Sequence, residues 1–224
     1  MTRNTFNLRL IVLRLLKANC KLYKELLGLV AMIGAWKKIW HFVWHEESLA
    51  SWLVNLVLSF VLVKWVIYPG VGFLLGTSYP IVAVVSSSME HNGLGFEDWW
   101  EKNGGWYMER GITQEDFGDY SFTNGFNKGD IMVLKGIEPK AIKMGMVVVY
   151  EHSRYNNPII HRVVQIREGQ GALMFVTKGD NNFDADTELV REEQIQRTGK
   201  AIFRLPLLGW VKILFVELIG VFRQ

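Results

Sequence analysis

The pattern of apolar and polar residues along the chain is dominated by one long apolar run. From Leu49 to Thr77 the only charged residue is Lys64, and this length exceeds the roughly 20 apolar residues that cross a bilayer as a helix. The run is too long, and lies too far from the N-terminus, to be the core of a cleavable signal peptide. We therefore predict a transmembrane helix over residues 49–77, with Lys64 extending toward the membrane surface or facing a partner.

Residues 1–48 predict a basic amphipathic segment ahead of this helix. Basic residues recur at helical spacing opposite a row of Leu and Ile that includes Leu8 and Leu29, which is typical of a helix lying on an anionic leaflet. Near the end of the segment, His41 and His45 have the i, i+4 spacing of a metal pair. No third ligand is near them in the sequence, so we predict interfacial packing with the neighbouring tryptophans and no metal site.

Beyond Pro80 the pattern becomes that of a β domain. Six short runs rich in Val, Ile and aromatic residues are separated by Gly, Asn and Asp, which favour turns. We predict that residues 78–204 form a mainly β, antiparallel, barrel-like domain. Its predicted strands are Ile81–Val85, Ile131–Leu134, Met146–Tyr150, Ile159–Ile166, Leu173–Thr177 and Thr198–Phe203.

Between the first two of these runs, residues 92–127 form an insertion of different composition. It holds seven acidic residues, two basic residues and the tryptophans Trp99, Trp100 and Trp106. We interpret it as a solvated surface subdomain. The alternative is a lid or an interfacial foot whose tryptophans contact lipid headgroups or a substrate.

The C-terminal segment, residues 205–224, is apolar again. From Leu205 to Phe222 only Lys212 and Glu217 are charged, and this run is barely long enough to span a bilayer. A second membrane helix and an interfacial helix are therefore both open, and either one leaves the β domain outside the membrane.

The net charge of +3 conceals an uneven distribution. Residues 1–48 hold eight Lys and Arg against three Glu, whereas residues 78–204 hold fourteen Lys and Arg against eighteen Asp and Glu. By the positive-inside rule, the N-terminal segment lies in the cytoplasm and the β domain on the extracytoplasmic side. Nucleic acid is excluded as a partner because the basic excess lies beside the membrane. Cys20 is the only cysteine, so no intrachain disulfide can form.

Candidate chemistry begins with the serine cluster in residues 84–90, at the end of the first predicted strand. A serine hydroxyl is a poor nucleophile near neutral pH, and it needs an adjacent base that is itself held in one orientation. Bases follow later, at His161 and in the segment 178–186, which reads Lys-Gly-Asp-Asn-Asn-Phe-Asp-Ala-Asp. Taken alone, the serine cluster is typical of a turn.

These three stretches, in this order behind a membrane segment, resemble the type I signal peptidase family, in the branch found in archaea and in the endoplasmic reticulum. The resemblance implies a serine endopeptidase in which Ser88 is the nucleophile, His161 the general base and Asp186 the carboxylate that orients the histidine. It implies Asp180 as a supporting residue. Asp184, between the two, is open as a competitor for the third position.

Other positions also bear on this resemblance. Ser86 matches the residue whose hydroxyl, with the Ser88 backbone N–H, helps to stabilise the oxyanion in bacterial relatives. Two positions depart from the family's pattern. Ser87 stands at the middle position of the serine motif, where the family usually has Gly or Asp. His91 stands where the family usually has a proline after Met-Glu. The long insertion also begins at His91, whereas the family usually continues to its next block within a few residues. We interpret His91 as a loop residue and not as the base, and we assign Asp130 of the Lys-Gly-Asp block to turn-making.

The resemblance further implies a substrate and a location. The substrates are N-terminal signal peptides of secreted or exported preproteins, cleaved after small residues, with no cofactor and no metal. The implied partners are these signal peptides, the lipid bilayer and a secretion translocon, in the cell membrane or, in a eukaryote, the endoplasmic reticulum membrane. Shallow apolar pockets for small side chains are predicted from strand position, with the lining Ile81, Ala83, Val85, Ile131, Val133 and Val148.

Two other interpretations stand beside this one. The first is a catalytically inactive β domain that acts as a membrane-anchored scaffold, suggested by His91 and the insertion. The second keeps the fold but uses a Ser-Lys dyad, with Lys135 or Lys143 as the base. Ser88→Ala discriminates the scaffold from the enzyme, because only an enzyme loses precursor cleavage.

Overall fold

The structure is a computed structural model, and the residues that it describes are 24, 28–152, 157–169 and 171–221. The basic amphipathic helix predicted near the N-terminus falls almost entirely outside these described residues. The chain divides into two compact units, Met1–Trp65 and Val66–Gln224.

Two helices joined by a short turn form the described part of the first unit. Ser48 caps the second helix by accepting a hydrogen bond from the Ser51 N–H, and the Ser51 hydroxyl donates to the Phe42 carbonyl of the first helix at 2.6 Å. The rings of His41 and His45 stack on each other, with 5.3 Å between their centroids. The helices are α1, residues 28–45, and α2, Leu49–Leu62.

A continuous helix occupies the predicted membrane segment. It runs from Leu49 to Leu75 and is, by length and composition, the one helix within the described residues that could cross a membrane. Lys64 lies in a π-helical turn of this helix, with its Nζ 5.7 Å from the Phe60 ring centroid and 5.8 Å from that of Trp65. Gly76 ends the helix in the left-handed conformation. After α2 come the π-helical turn, Val63–Ile67, and α3, Tyr68–Leu75.

The second unit is organised by a seven-stranded antiparallel sheet in the order β1-β2-β7-β3-β4-β5-β6. All six predicted strands are present, so the prediction of a mainly antiparallel β domain is confirmed. The additional strand β6 has two residues, which is too short a run to show an alternating pattern. The strands are β1 Ile81–Ala83, β2 Ile131–Lys135, β3 Val147–Tyr150, β4 Ile159–Gly169, β5 Ala172–Lys178, β6 Val190–Arg191 and β7 Gly199–Leu205.

The insertion 92–127 is a packed aromatic subdomain. Its acidic residues are exposed, as expected of a solvated surface. Trp99 and Trp100, however, are only 1% and 5% exposed, and they pack with Tyr107 and Phe117 against strands β4 and β5. The alternative of a foot or lid is therefore wrong for Trp99 and Trp100, because these rings form the core of the subdomain. Its helices are α4, Phe96–Met108, and α5, Gln114–Gly118.

Asp130 connects the sheet to the C-terminal segment. Its carboxylate accepts hydrogen bonds from the backbone N–H of Asn127 at 2.8 Å and of Leu207 at 3.0 Å, which is the turn-making role assigned to it. After the short helix α6, Glu192–Gln196, and strand β7, the chain ends its described part in α7, Trp210–Val221. The membrane or interfacial position of α7 stays a prediction.

Candidate active site

The serine cluster follows β1, and its backbone is fixed by buried neighbours. Val84 and Met89 are 2% and 0% exposed and belong to the same hydrophobic cluster. Ser88 lies directly before Met89 and is half-buried. The backbone N–H of Asn181 donates to the Ser88 carbonyl at 2.8 Å, and its side-chain amide donates to the Ser87 carbonyl at 3.1 Å. The backbone of Ser88 is therefore held through its own carbonyl and that of Ser87.

Three side chains from distant parts of the chain form a hydrogen-bonded series. The Ser88 Oγ lies 3.0 Å from His161 Nε2, and His161 Nδ1 lies 2.7 Å from Asp186 Oδ2. His161 belongs to β4 and is 7% exposed, so the strand and its packing hold the ring. A hydroxyl, an imidazole and a carboxylate in this order can transfer a proton from the hydroxyl to the ring.

Asp186 Oδ2 accepts two hydrogen bonds in addition to that from His161. The hydroxyl of Thr177 donates to it at 2.6 Å and the hydroxyl of Tyr150 at 3.0 Å. Burial raises the pKa of Asp186, but the hydrogen bond and charge of His161 and the hydrogen bonds from Thr177 and Tyr150 outweigh burial and lower the pKa below its ordinary value. The carboxylate therefore stays ionised and is held in one orientation.

Ser86 places a second hydroxyl beside the first. Its Oγ lies 3.1 Å from the Ser88 Oγ, and both residues border the same cleft. A hydroxyl at this position can donate to an oxygen that develops negative charge next to Ser88.

Asp180 lies in a buried network separate from this series. It is 1% exposed and accepts a bidentate pair of hydrogen bonds from Arg162, at 2.9 Å and 2.7 Å. The remaining N–H groups of Arg162 donate to the carbonyls of Ser121, Phe122 and Gly145. Burial raises the pKa of Asp180, but the charge and hydrogen bonds of Arg162 outweigh it and hold the pKa far below its ordinary value. Asp180 is therefore paired with Arg162, and its role as a supporting residue stays a prediction.

The other candidate carboxylate, Asp184, also has a different partner. It is exposed, and its Oδ1 accepts a hydrogen bond from the Trp106 indole N–H at 3.3 Å. Of the three aspartates between 180 and 186, the structure thus brings Asp186 to the histidine.

His91 lies in a loop, as predicted, but it is buried. It is 2% exposed and its ring stacks on Trp99, with 3.9 Å between centroids and 2° between planes. Its Nε2 faces Asp180 Oδ2 at 3.3 Å, so its polar contact is with Asp180, whereas the Ser88 hydroxyl is bonded to His161.

Gly179 allows the close approach of the loop to the reacting groups. A Cβ at this position would lie 2.7 Å from the Ser88 carbonyl oxygen and 2.9 Å from His161 Nε2. Both distances are shorter than real Cβ contacts, so a side chain here would push the serine and the histidine away.

A cleft of about 1200 Å³ contains the site. Its walls include Ser86, Ser88, His161 and Asp186, and also the predicted pocket residues Ile81, Ala83 and Val85. The other three predicted pocket residues do not border this cleft, and their contact with substrate stays a prediction: Ile131, Val133 and Val148.

Strand geometry explains why these three residues do not border the cleft. Ile131 and Val133 lie in β2, behind the edge strand β1 that borders the cleft. Val148 is 0% exposed and packs in a cluster with Val163, whereas its neighbour Val149 lines the cleft. Alternate residues of a strand point to opposite faces, so Val148 and Val149 pack in different clusters, and of the two only Val149 borders the cleft.

Sequence reasoning missed the partners that hold the site residues. Tyr150 and Thr177 lie in predicted strands and gave no separate signal. Arg162 did give one: a charged residue inside a run of Val and Ile needs a buried counter-charge, and Asp180 supplies it. Within the described residues, no group of three or more His, Cys, Asp or Glu side chains could hold a metal ion.

The fold and the site together define a class of protein. A serine, a histidine and an aspartate in hydrogen-bonding order, at the edge of an antiparallel sheet, have the arrangement of serine hydrolases that act through an acyl-enzyme. No protein-family model matches the chain.

Curated relatives identify the family within this class. Over 167 residues the chain is 29% identical to the signal peptidase complex catalytic subunit SEC11C of Homo sapiens, covering 70% of each protein. It is 31% identical over 159 residues to SEC11 of Scheffersomyces stipitis, covering 68% of this chain and 75% of that protein. It is 31% identical over 183 residues to SEC11 of Leptosphaeria maculans, covering 76% and 83%. The chain belongs to the family of signal peptidase complex catalytic subunits, and these relatives are all eukaryotic.

Proposed function

We propose that this protein is a membrane-bound serine endopeptidase that removes N-terminal signal peptides from secreted preproteins. The observation that carries the proposal is the hydrogen-bonded series of Ser88, His161 and Asp186. The catalytic subunits of signal peptidase complexes to which the chain is similar support the choice of substrate. As those relatives are eukaryotic, we propose the endoplasmic reticulum membrane as the location.

The reaction begins with attack by the Ser88 Oγ on the carbonyl carbon at the cleavage site. Its proton passes to His161 Nε2, which lies 3.0 Å away. Asp186 accepts the Nδ1–H of the same ring, so it fixes the tautomer in which Nε2 is free to take the proton and stabilises the imidazolium that results.

The tetrahedral intermediate carries a negative oxygen beside Ser88. We assign its stabilisation to the Ser88 backbone N–H and the Ser86 hydroxyl, which lies 3.1 Å from the nucleophile. Loss of one such donor typically costs about 2.7–4 kcal/mol in transition-state energy. The imidazolium then protonates the leaving amine, and a water activated by His161 hydrolyses the acyl-enzyme.

The cleft suggests how the substrate is selected. Ile81, Ala83 and Val85 border it on the side of β1, and we propose that they form the shallow apolar surface that accepts small side chains near the cleavage site. Tyr68, in the last part of the apolar helix, borders the same cleft. A signal peptide whose hydrophobic core is still in the bilayer would therefore present its cleavage site at a high effective concentration.

The domain arrangement follows from this position of the site. We propose that residues 1–48 are cytoplasmic, 49–77 span the membrane, 78–204 form the catalytic domain on the extracytoplasmic side, and 205–224 form a membrane or interfacial helix. The bilayer and a secretion translocon are the corresponding partners, because the translocon delivers the preprotein to this side.

A Ser-Lys dyad has less support. The Ser88 hydroxyl is hydrogen-bonded to His161 and Ser86, and neither Lys135 nor Lys143 lines the cleft. Lys143 instead borders a separate depression beside Tyr120.

The proposal is tested by precursor cleavage. A tagged copy, purified in mild detergent from the cells to which the protein belongs, retains its partners and is incubated with a labelled preprotein. We expect wild type and Lys143→Met to release the signal peptide, and Ser88→Ala and His161→Ala to release none above background. Equal release by wild type and Ser88→Ala would leave the inactive scaffold as the better interpretation. Loss of release in Lys143→Met, with release retained in His161→Ala, would favour the dyad.

A further inference from the structure

The insertion 92–127 contacts the loop that carries the candidate carboxylates. We propose that this insertion, together with His91, is a brace that holds the site loop, residues 178–186, in the geometry that catalysis needs. The proposal rests on the peptidase function proposed above. Trp106, Tyr107 and His91 are its positioning residues.

Side chains of the brace form hydrogen bonds along the site loop. The Trp106 indole N–H donates to Asp184 at 3.3 Å, and the Tyr107 hydroxyl donates to Asp180 at 3.3 Å. At the start of the insertion, the Asn92 amide donates to the Asn181 side chain at 3.1 Å. The brace therefore forms hydrogen bonds with three residues of the loop, Asp180, Asn181 and Asp184.

Lys178 connects the aromatic rings of the brace to the backbone of the loop. It is 2% exposed, and its Nζ lies 5.1 Å from the Trp106 ring centroid and 4.9 Å from that of Tyr107. The same ammonium donates to the carbonyls of Gly179 at 3.1 Å and Asp180 at 3.4 Å. A cation over two aromatic faces is stabilised electrostatically, so the rings hold the lysine and the lysine holds the first turn of the loop.

His91 adds a contact from the point at which the insertion begins. Its ring is enclosed between Trp99 and Asp180, with Nε2 3.3 Å from the carboxylate. Its Nδ1 is buried and has no hydrogen-bond partner among the described residues. The stacking on Trp99 and the contact with Asp180 therefore fix the position of the ring.

The site loop in turn holds the reacting groups. Asn181 donates to the carbonyls of Ser87 and Ser88, Gly179 leaves no space between the loop and His161, and Asp186 is itself the last residue of the loop. A displacement of the loop would therefore move the serine and the carboxylate relative to the histidine. Misplacement by 1 Å can reduce turnover by about 100-fold.

The insertion is also joined to the strand that carries the histidine. Arg162 follows His161 in β4 and donates to the carbonyls of Ser121 at 2.8 Å and Phe122 at 3.0 Å, near the end of the insertion. The insertion thus contacts both the site loop and Arg162, which is the residue next to the base.

The test uses Trp106→Phe, which removes the N–H donor to Asp184 but keeps a ring over Lys178. Trp106 does not line the cleft, so we expect kcat on a peptide substrate to fall about tenfold with KM unchanged, as for a positioning effect smaller than a 1 Å displacement. Trp100→Phe is the matched control, since Trp100 lies on the same helix and in the same aromatic core, where it contacts other rings of the insertion. It should lower the melting temperature and leave kcat unchanged.

A double-mutant cycle provides the second measurement. Asp184 is exposed, so Asp184→Ala should fold, and it should reproduce the loss in kcat of Trp106→Phe. The double variant should lose no more than either single variant, because both remove the same hydrogen bond. Three results would overturn the brace proposal. They are additive losses of kcat in the double variant, equal losses of kcat in Trp106→Phe and Trp100→Phe, and an unchanged kcat in Trp106→Phe. A wild type whose cleavage does not depend on Ser88 would instead refute the peptidase function.

Discussion

Asp186 and Asp180 lie six positions apart, and the structure predicts that their loss has different consequences. Asp186→Ala should abolish turnover in a folded protein. The substitution removes the acceptor for His161 Nδ1, so the ring loses its orientation and the stabilisation of its positive charge. In serine proteases the replacement of the equivalent carboxylate by an amide lowers kcat about 10⁴-fold, which corresponds to about 5 kcal/mol.

Asp180→Ala should mainly lower the free energy of unfolding. Asp180 is buried and holds Arg162 through two hydrogen bonds, so its removal leaves a buried guanidinium without its counter-charge. Breaking a buried pair in this way costs about 3–5 kcal/mol. For a domain of this size, each kcal/mol shifts the melting temperature by about 2–4 °C, so we expect a decrease of about 6–20 °C.

The assay measures both quantities for each variant. Thermal unfolding in detergent gives the melting temperature, and cleavage of a peptide substrate below the transition gives kcat for the folded protein. Asp186→Ala should retain most of the wild-type melting temperature, since its carboxylate is only partly buried. Substantial turnover by Asp186→Ala, or a wild-type melting temperature for Asp180→Ala, would refute the assignment of the two residues.

Two further predictions concern the start of the site loop. Gly179→Ala should lower kcat by about 100-fold, because its Cβ would displace Ser88 and His161. The control is Gly105→Ala, which has open space for a Cβ. Equal kcat in both variants would contradict the steric argument. Burial lowers the pKa of Lys178 to about 8, below its ordinary value of 10.5, so between these values the unfolded chain binds more protons and the free energy of unfolding rises with pH. Lys178→Met should lack that rise between about pH 8 and 10 in urea unfolding, and an identical rise in both proteins would show that another group is responsible.

The strands were predictable because their signal is local. Runs such as Ile159–Ile166 contain the β-branched residues and flanking turns that identify a strand without reference to its partners. The strand β6 carried no such signal because it has two residues. The cleft is bordered by Val149 and not by the predicted Val148, since sequence does not reveal which face of a buried strand meets a cleft.

The three reacting residues of the site were predictable because they lie in recognisable sequence motifs. Ser88, His161 and Asp186 follow from the resemblance, and the structure brings them within hydrogen-bonding distance. Sequence could not separate Asp184 from Asp186, because a turn rich in Asn and Asp has no periodicity that fixes the direction of each side chain. The decisive fact is the contact of Asp184 with Trp106, which lies 78 positions earlier.

The burial of His91 could not be predicted for the same reason. Its partners Trp99 and Asp180 come from the insertion and from the site loop, and a polar residue at the start of an acidic segment is typical of solvent exposure. Nothing in the local pattern indicates that the tryptophans of this segment face inward.

The insertion leaves the β domain and returns to it at one narrow point. The Phe126 N–H donates to the Met89 carbonyl at 3.0 Å, and the Lys128 N–H donates to the Glu90 side chain at 2.8 Å. Because the two stems are joined there, the pairing of β1 with β2 does not depend on how much chain lies beyond the junction. A shorter insertion would therefore keep this strand pairing and lose the hydrogen bonds that Trp106 and Tyr107 donate to the site loop.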